Sequence, residues 1–357
     1  MSKDFTIRSS VHDYSVRFVN DFNAVLDDIL ESGDILLIDE NIYSLYRKRL
    51  APICDRCRHI IIEPSEVKKS YQGVIPIIES LIEGGFRKNN RIIAIGGGIT
   101  QDIATFISAN LYRGVQWYFF PTTLLSQSDS CIGGKASLNF GGYKNLLGNF
   151  YPPWKIFIDL SFLQTLPKRD LVSGLGEMTH FYFVSGGEDY QLMAKSRETA
   201  LEDKEVLESL ILRSLQIKKA TIEIDEFDRK ERQIFNYGHS FGHAIESVTQ
   251  YRVPHGIAVS HGMDIANFIS CKLGFISSDE RDKMRAVLRH NWDEVPLGEI
   301  DPEVFIDALR KDKKNINTQV RVILTRGLGQ MFITSLDVDD QPGKWIREYF
   351  QTQAQKG

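Results

Sequence analysis

The chain has 357 residues, of which 42% are hydrophobic and 25% are charged, and its formal net charge at pH 7 is −4. These values are typical of a globular protein with room for two domains, and the absence of a lysine or arginine run argues against nucleic acid as a partner. No apolar stretch reaches the roughly 18 residues of a membrane span, and the N-terminus lacks the apolar core of a signal peptide. We therefore expect a cytoplasmic protein with no membrane partner.

The first half of the chain alternates short apolar runs with helical patterns. The runs typical of buried strands are residues 34–38, 59–63, 91–95, 116–120 and 155–159, and a helix is predicted over residues 72–85. Regular alternation of strands and helices predicts an α/β domain with a largely parallel sheet. We place this domain at residues 1–168.

After Pro167 the strand signal fades and helical patterns dominate. Helices are predicted over residues 171–183, 201–224, 232–246, 257–273 and 278–290, and a short hairpin is predicted near residues 320–334. This pattern predicts a mainly α-helical second domain, which we place at residues 169–357.

Three consecutive glycines, Gly96 to Gly98, follow the predicted strand at residues 91–95, and a helical run begins directly after them. A turn of this kind allows a pyrophosphate to lie on the backbone N–H groups at the positive end of a helix. The segment reads GGGITQD, so the GxGxxG fingerprint is not matched, and a simple tight turn is the alternative. The position of the glycines between a buried strand and a helix favours nucleotide binding.

A long glycine-rich segment without periodicity spans residues 128–145, and we interpret it as a loop. It carries Asp129, Lys135, Lys144 and Asn145. A loop of this length inside a compact domain is more often functional than idle. Two lysines and an asparagine are suitable donors for a phosphorylated, hydroxyl-rich ligand. The alternative is a mobile surface loop.

The most distinctive stretch of the chain is RQIFNYGHSFGHAIE at residues 232–246. Its polar residues, spaced four, three, four and three apart, are Arg232, Asn236, His239, His243 and Glu246. On a single helix this spacing places all five side chains on one face. Gly238 and Gly242 border that row, and glycine is costly inside a helix, so we expect something to approach the backbone closely here. The alternative is a solvated polar face.

The two histidines of this row indicate a metal site. His239 and His243 are four residues apart, so both could bind one divalent ion through ring nitrogens. The glutamate of the HExxH motif is missing, which argues against a zinc protease. A further ligand would come from Glu177 or His255, and it remains open whether both histidines of the row are ligands. A site of Glu and His with one position open for substrate would be catalytic.

Several segments, taken in order along the chain, resemble the motifs of 3-dehydroquinate synthase and its relatives, the sugar phosphate cyclases. These segments are GGGITQD, LYRGV, PTTLLSQSDSCIGGKASLN, YKNLLGNFYPP, TLPKRDLVSGLGE, FNYGHSFGHAIE and PHG, and the resemblance covers about residues 60–330. It implies an enzyme that depends on NAD and on zinc or cobalt and forms a homodimer. It also implies a Rossmann-like N-terminal domain and a helical C-terminal domain.

The resemblance assigns roles to matching residues. The metal ligands would be Glu177, His239 and His255. The catalytic residues would be His243, Lys135, Asn236, Arg232, Lys218 and Asp129. Substrate contacts would be made by Asn145, one of Lys313 and Lys314, and Arg113, which matches an arginine that the family supplies from the partner subunit. We also expect His180, which differs from the family residue, to contact the substrate. NAD contacts would be made by Glu66, Lys69, Gly97, Gly98, Ile99, Thr100, Gln101, Asp102, Thr122, Thr123 and Lys144.

The family implies a reaction without net redox change. NAD⁺ oxidises one ring carbon of a phosphorylated sugar acid, phosphate leaves by β-elimination, the hydride returns, and an intramolecular aldol step closes a carbocycle. The metal ion would stabilise the reacting oxygen. With 3-deoxy-arabino-heptulosonate 7-phosphate as substrate, the product is 3-dehydroquinate, an intermediate of the shikimate pathway to aromatic amino acids. The enzyme would therefore be a carbon–oxygen lyase acting on phosphate.

The sequence departs from the family beside the expected site, which leaves the substrate open. His180 stands where the dehydroquinate synthases have lysine, and we expect it to tune recognition of the sugar hydroxyls. Ile257 stands for Glu or Gln, Gln101 for glycine, and His261 occupies a usually apolar position. Arg232, which relatives acting on a carboxylate keep, favours the heptulosonate. The alternatives are a sister cyclase acting on sedoheptulose 7-phosphate, glucose 6-phosphate or an amino sugar phosphate (of the 2-epi-5-epi-valiolone or 2-deoxy-scyllo-inosose synthase type), a metal-dependent polyol dehydrogenase, and a non-catalytic binding protein.

Overall fold

The computed structural model describes residues 3–141, 143–292, 297–311 and 319–354. The chain forms two compact units, the first made of Met1–Leu166 with Lys219–Phe227 and the second of Pro167–Lys218 with Asp228–Gly357. Residues 219–227 are thus part of the first unit, although the sequence pattern places them in the helical domain.

Two glutamates within residues 219–227 accept hydrogen bonds from the N-terminal part of the first unit. Glu223 Oε1 accepts a hydrogen bond from the Arg8 backbone N–H at 2.9 Å, and Glu226 Oε2 accepts one from the Ser10 backbone N–H at 2.8 Å. The Ser9 hydroxyl also donates to Glu226. These contacts join residues more than 200 positions apart, so no local sequence pattern could have indicated them.

The first unit contains nine strands and five complete helices. The strands are β1 (Phe5–Ile7), β2 (Tyr14–Val19), β3 (Ile35–Asp39), β4 (Arg58–Ile62), β5 (Ile92–Gly96), β6 (Trp117–Pro121), β7 (Lys135–Phe140), β8 (Tyr143–Phe150) and β9 (Lys155–Asp159). The helices are α1 (Phe22–Ile29), α2 (Glu40–Leu45), α3 (Arg47–Cys54), α4 (Tyr71–Glu83) and α5 (Gly98–Asn110). These counts refer to the described residues.

Seven of these strands form one sheet in the order β1-β2-β9-β6-β5-β3-β4. In this spatial order, each strand from β2 to the edge strand β4 is parallel to its neighbour, and only β1 pairs antiparallel, with β2. All residues of β3, β5 and β6 are buried, as is usual for interior strands of a parallel sheet. The five strands predicted from apolar runs are all present, and the predicted α/β fold is confirmed.

The carboxyl ends of the parallel strands share one edge of the sheet. β3 ends at Asp39, β5 at Gly96 and β6 at Pro121. The Thr122 backbone N–H, just after β6, donates to the Gly96 carbonyl at 3.0 Å. Ligands of open α/β sheets bind outside this edge, so the glycine turn is correctly placed for a ligand.

The glycine-rich segment at residues 128–145 is not a loop, and this prediction was wrong. It contains all of β7 and the first residues of β8. These two strands pair antiparallel as a hairpin, with Leu138 opposite Leu147. Ala136 and Leu138 are buried while Lys135 is exposed. This alternation covers only four positions, residues 135–138, before a bulge between Leu138 and Phe140 interrupts it, and a pattern that short is hard to recognise in a sequence.

The second unit is mainly helical. Its helices are α6 (Lys168–Ser185), α7 (Gly187–Ser196), α8 (Lys204–Ile222), α9 (His239–Val248), α10 (His255–Lys272), α11 (Ser278–Leu288), α12 (Pro302–Arg310) and α13 (Gln341–Ala354). The last four residues of α8 are in the first unit. A hairpin of β10 (Gln319–Thr325) and β11 (Met331–Asp337) confirms the predicted one. Helix α10 is central, because every residue from Gly256 to Ser270 is buried.

None of the helices in the described ranges combines the length and the apolar content needed to cross a membrane.

Candidate active site

Three side chains from different helices of the second unit meet at one point. Glu177 lies in α6, His239 is the first residue of α9, and His255 is the first residue of α10. Nε2 of His239 lies 3.3 Å from Glu177 Oε1, and Nε2 of His255 lies 3.4 Å from Glu177 Oε2. The Glu177 side chain is only 4% exposed, so its carboxylate is held by the imidazoles rather than by water.

The contact between α6 and α10 explains why Glu177 and His255 meet. Gly176 and Gly256, their chain neighbours, face each other across the two helices. A Cβ added to Gly256 would lie 2.8 Å from the Glu177 backbone nitrogen and nearer still to the Ser173 carbonyl, closer than real Cβ atoms approach. Only glycine allows this backbone contact, and the contact sets the spacing of the Glu177 and His255 side chains.

A second close contact brings His239 to the same helix. A Cβ on Gly262 would lie 2.7 Å from the Gly242 backbone nitrogen, and one on Gly238 would lie 2.7 Å from the Val259 carbonyl. Gly238 also has a φ of 84°, a left-handed conformation that favours glycine. The close approach expected at Gly238 and Gly242 is therefore real, and the approaching group is the backbone of α10.

The polar row at residues 232–246 does not lie on one helix, and that prediction was wrong. Residues Glu231–Asn236 form a 3₁₀ turn, and α9 begins only at His239. The left-handed Gly238 separates the two elements. Tyr237 is buried, and its hydroxyl donates to Asn267 of α10. Arg232 and Asn236 therefore precede the helix that carries His239.

The donor set of Glu177, His239 and His255 fits a divalent metal ion. Two imidazole nitrogens and a carboxylate are common zinc ligands, and one ligand atom of each residue lies within 4.8 Å of the others. Burial alone would raise the pKa of Glu177, but the imidazoles of His239 and His180 hold that pKa well below its usual range. Glu177 Oε2 is buried and accepts no hydrogen bond from the described residues, which leaves it available to a cation.

Another group with metal-ligating atoms overlaps the first. It consists of His243, Glu246 and His255. Nδ1 of His255 lies 3.1 Å from Glu246 Oε2. Burial would raise the pKa of Glu246, but the hydrogen bond from His255 and the charges of nearby imidazoles lower it. The His255 ring therefore has a carboxylate beside each nitrogen.

His180 lies directly beside Glu177. Its Nδ1 is 2.5 Å from the Glu177 backbone carbonyl and 3.6 Å from Glu177 Oε1. Its ring packs against Phe181 and Phe235, and the residue is only 1% exposed. This burial limits the access that a direct contact of His180 with sugar hydroxyls would require.

The other predicted substrate residues of the second unit differ in their exposure. Lys218 and Arg232 are buried, at 7% and 6% exposure. Asn236 is half-buried and donates from Nδ2 to the Gln233 carbonyl at 3.0 Å. His243 is exposed on α9, with its ring centroid 5.7 Å from that of His239. The predicted Lys313 and Lys314 lie outside the described residues.

The glycine turn of the first unit is open at the N-terminus of α5. A Cβ on Gly98 would meet nothing within 4 Å, whereas one on Gly97 would lie 2.9 Å from Thr123 Cγ2. Thr100 Oγ1 is buried and has no hydrogen-bond partner among the described residues. Ile99 is half-buried in the first turn of the helix. The turn therefore presents backbone N–H groups with free space beside them, as an anion site requires.

Lys69 joins the glycine-turn helix to the β7–β8 hairpin. Its Nζ donates to Asp102 Oδ2 and to Asn145 Oδ1, both at 2.9 Å. Ser137 reinforces this link by donating from its backbone N–H to Asp102 Oδ1 and from its hydroxyl to Asn145 Oδ1. Burial raises the pKa of Asp102, although Lys69 opposes the shift. The structure thus brings Lys69, Asp102 and Asn145 together.

Glu66 and Lys144 lie at the outer side of this network. Lys144 Nζ is 3.6 Å from Glu66 Oε2. Asn139 of β7 donates from Nδ2 to the same carboxylate oxygen at 2.8 Å. Glu66 is therefore held by the hairpin, to which Lys144 belongs.

Gln101 holds the segment that carries Asp129. Its Nε2 donates to the Ser130 carbonyl at 2.6 Å, and the Ser130 hydroxyl donates back to Gln101 Oε1 at 2.7 Å. Asp129 lies in a single π-helical turn, Ser126–Ser130. Gln101 is nearly buried, so the side chain that replaces the family glycine is directed towards Ser130.

Arg113 is part of a turn with unusual backbone angles. Tyr112, Arg113 and Gly114 have φ values of 53°, 61° and 114°. The Tyr112 hydroxyl donates to the Phe86 carbonyl at 3.0 Å and anchors the turn. Left-handed conformations of non-glycine residues cost roughly 1–3 kcal/mol and concentrate at functional sites.

Two further residues of these sites were missed in the sequence. Asp39 ends β3 beside the glycine turn, since a Cβ on Gly96 would lie 3.0 Å from Asp39 Cβ. An acidic residue after a strand next to a glycine turn is the available signal, because such residues bind ribose hydroxyls in dinucleotide-binding folds. Glu246 was placed in the polar row without a role, and only the structure brings it to His255.

Two family models match the chain consecutively. The one described as 3-dehydroquinate synthase N-terminal matches residues 59–173, and the one described as 3-dehydroquinate synthase C-terminal matches residues 174–315. The chain belongs to the 3-dehydroquinate synthase family. It is therefore related to enzymes of the sugar phosphate cyclase type.

Members of this family match over most of the chain. The 3-dehydroquinate synthase of Streptococcus pyogenes serotype M5 (strain Manfredo) is 33% identical over 358 residues, which cover 98% of this chain and 99% of that protein. A bifunctional 3-dehydroquinate synthase/phosphatase of Fusobacterium nucleatum subsp. nucleatum is 32% identical over 323 residues. That match covers 88% of this chain but 49% of the longer protein, so the chain spans about half of the bifunctional relative.

Two solved structures of sister cyclases share the fold. A 2-deoxy-scyllo-inosose synthase in complex with carbaglucose-6-phosphate, NAD⁺ and Co²⁺ superposes with a TM-score of 0.86 at 23% identity, covering 98% of this chain and 99% of the other. The 2-epi-5-epi-valiolone synthase ValA from Streptomyces hygroscopicus subsp. jinggangensis 5008, with NAD⁺ and Zn²⁺ bound, has a TM-score of 0.81 at 24% identity and coverage of 96% and 97%. The fold of the chain is thus that of the dehydroquinate synthase family and its sister cyclases.

Proposed function

We propose that the chain converts 3-deoxy-arabino-heptulosonate 7-phosphate to 3-dehydroquinate and phosphate, as a carbon–oxygen lyase that uses NAD and Zn²⁺ or Co²⁺. The observation that carries the proposal is the grouping of Glu177, His239 and His255 around one point of the second unit. It is supported by family membership and by the NAD⁺ and Co²⁺ or Zn²⁺ of the sister cyclases.

Glu177, His239 and His255 would hold the metal ion. A bound divalent cation supplies Lewis acidity to the oxygen of the reacting carbon. Glu177 would bind the cation as a carboxylate, the ionised form that a ligand requires. His243, exposed on the same helix as His239, has a side chain able to accept or donate a proton near this centre.

The charged residues of the second unit would bind the anionic groups of the substrate. Arg232 and Lys218 are buried cations, and a buried cation gains strongly from an anionic partner. The planar guanidinium of Arg232 fits a carboxylate in a bidentate manner. Asn236 adds an amide that can bond a hydroxyl. This combination favours a sugar acid over a neutral sugar.

The N-terminal domain, for which we propose residues 1–168, would bind NAD. NAD supplies a temporary hydride acceptor and donor. The open N–H groups beside Gly97 and Gly98 would receive the pyrophosphate. The other proposed contacts are Asp39, Glu66, Lys69, Ile99, Thr100, Asp102, Thr122, Thr123 and Lys144. Gln101 would act by fixing Ser130, because its side chain is directed there.

The remaining substrate contacts would come from Asp129, Lys135 and Asn145 of the first unit and from Arg113 of a partner subunit in a homodimer. Lys135 and Arg113 are cations suited to a phosphate. The strained turn at Tyr112 and Arg113 supports a functional role for that arginine.

A specific observation keeps a sister cyclase as the second candidate. His180 replaces a lysine that the dehydroquinate synthases have beside the metal-binding glutamate, and it contacts Glu177 in the structure. We propose that His180 shifts substrate preference through Glu177. A His180→Lys variant whose relative rates with different sugar phosphates equal those of the wild type would contradict this role.

A panel of sugar phosphates tests the proposed function. Purified enzyme with NAD⁺ and Zn²⁺ or Co²⁺ is given 3-deoxy-arabino-heptulosonate 7-phosphate, sedoheptulose 7-phosphate or glucose 6-phosphate, and phosphate and NADH are measured together. We expect phosphate release from the heptulosonate without accumulation of NADH. Preference for a neutral sugar would identify a sister cyclase, and accumulation of NADH would identify a dehydrogenase.

Matched variants link this activity to the site. Glu177→Gln removes the charge of the buried ligand, and we expect phosphate release to fall by more than about a hundredfold, because the cation loses its only carboxylate within this group. Glu188→Gln makes the same change at an exposed position of α7 and serves as the control. Equal activity of Glu177→Gln and wild type would reject the site.

A further inference from the structure

The overlap of the two groups of metal-ligating residues raises the question of what Glu246 does. His255 belongs to both groups, and its two ring nitrogens point to different carboxylates. Nε2 lies 3.4 Å from Glu177 Oε2, and Nδ1 lies 3.1 Å from Glu246 Oε2. The first carboxylate belongs to the proposed metal site, whereas nothing described so far explains the second.

The chemistry of imidazole determines what these contacts mean. A neutral histidine has one N–H group and one nitrogen with a free lone pair. A carboxylate can only accept a hydrogen bond, so Glu246 requires the proton of His255 to be on Nδ1. The lone pair is then on Nε2, the nitrogen on the side of Glu177. Metal-ligating histidines usually donate their other N–H to such an acceptor, which fixes the ring and strengthens the ligand.

The position of Glu246 fits this role. Glu246 lies on α9 seven residues, or about two helical turns, after His239. The same helix therefore provides the proposed ligand His239 and the residue that contacts the proposed ligand His255. The Glu246 side chain is 14% exposed and that of Glu177 is 4% exposed. The more deeply buried carboxylate is thus the one at the proposed metal centre, and Glu246 lies behind the His255 ring.

We infer that Glu246 is a positioning residue, which holds His255 in the tautomer and orientation that direct Nε2 to the metal ion. This role rests on the proposed function in requiring a metal ion at Glu177, His239 and His255, but it does not depend on the identity of the sugar phosphate. The competing interpretation is that Glu246 is itself a ligand, in a second metal position with His243 and His255.

Zinc affinity of the full-length protein, measured without substrate by competition with a chromophoric chelator, tests the inference. We expect Glu246→Ala to weaken zinc binding about 10- to 100-fold, the range for residues that orient a metal ligand. Glu246→Gln should weaken it less, because the amide oxygen still accepts the proton of Nδ1. Ser247→Ala, at the adjacent exposed position, should remain within about twofold of wild type.

A second readout separates positioning from ligation. We expect wild type to bind one equivalent of zinc and to give a Co²⁺ absorption spectrum that shifts in Glu246→Ala, because the geometry of His255 changes. Two equivalents in wild type, of which Glu246→Ala removes the weaker and leaves the tighter unchanged, would show that Glu246 is a ligand and overturn the inference. A zinc affinity of Glu246→Ala within about twofold of wild type would also overturn it.

Two controls keep the outcome interpretable. Thermal unfolding of the metal-free variants reports whether they fold, and if Glu246→Ala does not, Glu246→Leu, which also removes the acceptor but keeps a side chain of similar size, decides the test by the same comparison with wild type. Zinc affinity could decrease from wild type through Glu246→Gln to Glu246→Ala while the wild type releases no phosphate from any sugar. That result would reject the proposed function and leave this inference standing. Phosphate release from the heptulosonate together with equal zinc affinities of the three proteins would support the proposed function and overturn this inference.

Discussion

Glycine marks both candidate sites of the molecule, but its role differs between the two units. At the turn before α5, a Cβ on Gly98 would meet nothing within 4 Å, so the glycine leaves space for a ligand. Along α10, Cβ atoms on Gly256 and Gly262 would collide with the backbones of α6 and α9. There the glycines bring helices together, and the residues next to them become neighbours. The same residue type thus indicates a ligand in one unit and a helix contact in the other.

The largest effect is expected from Gly256→Ala, which adds a methyl group where the two helices touch. Helix α10 must move away from α6, and forcing extra atoms into a packed interior costs roughly 1–3 kcal/mol or more. Because Glu177 and His255 flank this contact, zinc binding should be lost as well. Thermal unfolding and zinc stoichiometry of the variant measure both effects. Wild-type values for both would show that the glycine contact does not determine the ligand spacing.

A second effect of the close packing around α10 concerns acid stability. His261, next to Gly262, is buried against Trp292, and burial together with Arg285 lowers its pKa to about 3. The unfolded chain takes up this proton near pH 6.5 and the folded chain does not, so the free energy of unfolding falls as the pH drops below 6.5. The loss is at most about 1.4 kcal/mol per pH unit until the folded pKa is reached.

Replacing His261 by leucine tests this account. We expect the free energy of unfolding, measured by urea denaturation at pH 7 and pH 5, to decrease less in His261→Leu than in wild type. The two decreases should differ by about 2 kcal/mol. Well above pH 6.5 the histidine is neutral in both the folded and the unfolded chain and adds no pH dependence. Parallel pH profiles for the two proteins would mean that His261 has the same pKa in the folded and unfolded chain.

The open glycine provides the counterpart of Gly256. Gly98→Ala places its methyl group in free space, so the free energy of unfolding should stay constant or rise by up to about 1 kcal/mol. NAD⁺ binding should weaken about tenfold, equivalent to about 1.4 kcal/mol, because the methyl group occupies space proposed for the pyrophosphate. Calorimetric titration with NAD⁺ measures the affinity. Unchanged affinity would contradict the proposed cofactor position.

The smallest effect is expected from Gln101→Gly, which restores the family residue. The variant loses two hydrogen bonds to Ser130, each worth about 1 kcal/mol, and the turn carrying Asp129 is less firmly held. We expect a several-fold increase in KM for the sugar phosphate with little change in NAD⁺ affinity. Gln101→Ala serves as the control, because it removes the same bonds without the cost of glycine in a helix. Equal KM values for wild type and both variants would exclude a role in holding Asp129.

Much of the fold could be predicted because its signals are local. The buried strands β3, β5, β6 and β9 are short apolar runs, and their alternation with helices indicates a parallel sheet. The hairpin of β7 and β8 was missed because its alternation is short and broken by a bulge. The segment at residues 219–227 was placed in the other domain because it is held by hydrogen bonds from residues 8–10, between β1 and β2, to its carboxylates, and such contacts have no sequence period.

The candidate site was predictable in its residue types more than in its geometry. The regular spacing at residues 232–246 indicated one helix, but the left-handed Gly238 interrupts it, and spacing cannot report a backbone angle. Spacing alone also paired His239 with His243, whereas the structure groups His239 with Glu177 and His255. Long-range convergence of this kind depends on helix contacts that only the folded chain reveals.

The hydrogen bonds of Glu223 and Glu226 to the N-terminal strand region have a consequence for recombination between relatives. A single crossover at Leu166 would separate these two carboxylates from Arg8, Ser9 and Ser10, and so would leave the acceptors of one parent facing the donors of another. A functional chimera therefore needs two further junctions, one on each side of residues 219–227, so that this short insert is inherited together with the sheet it supports.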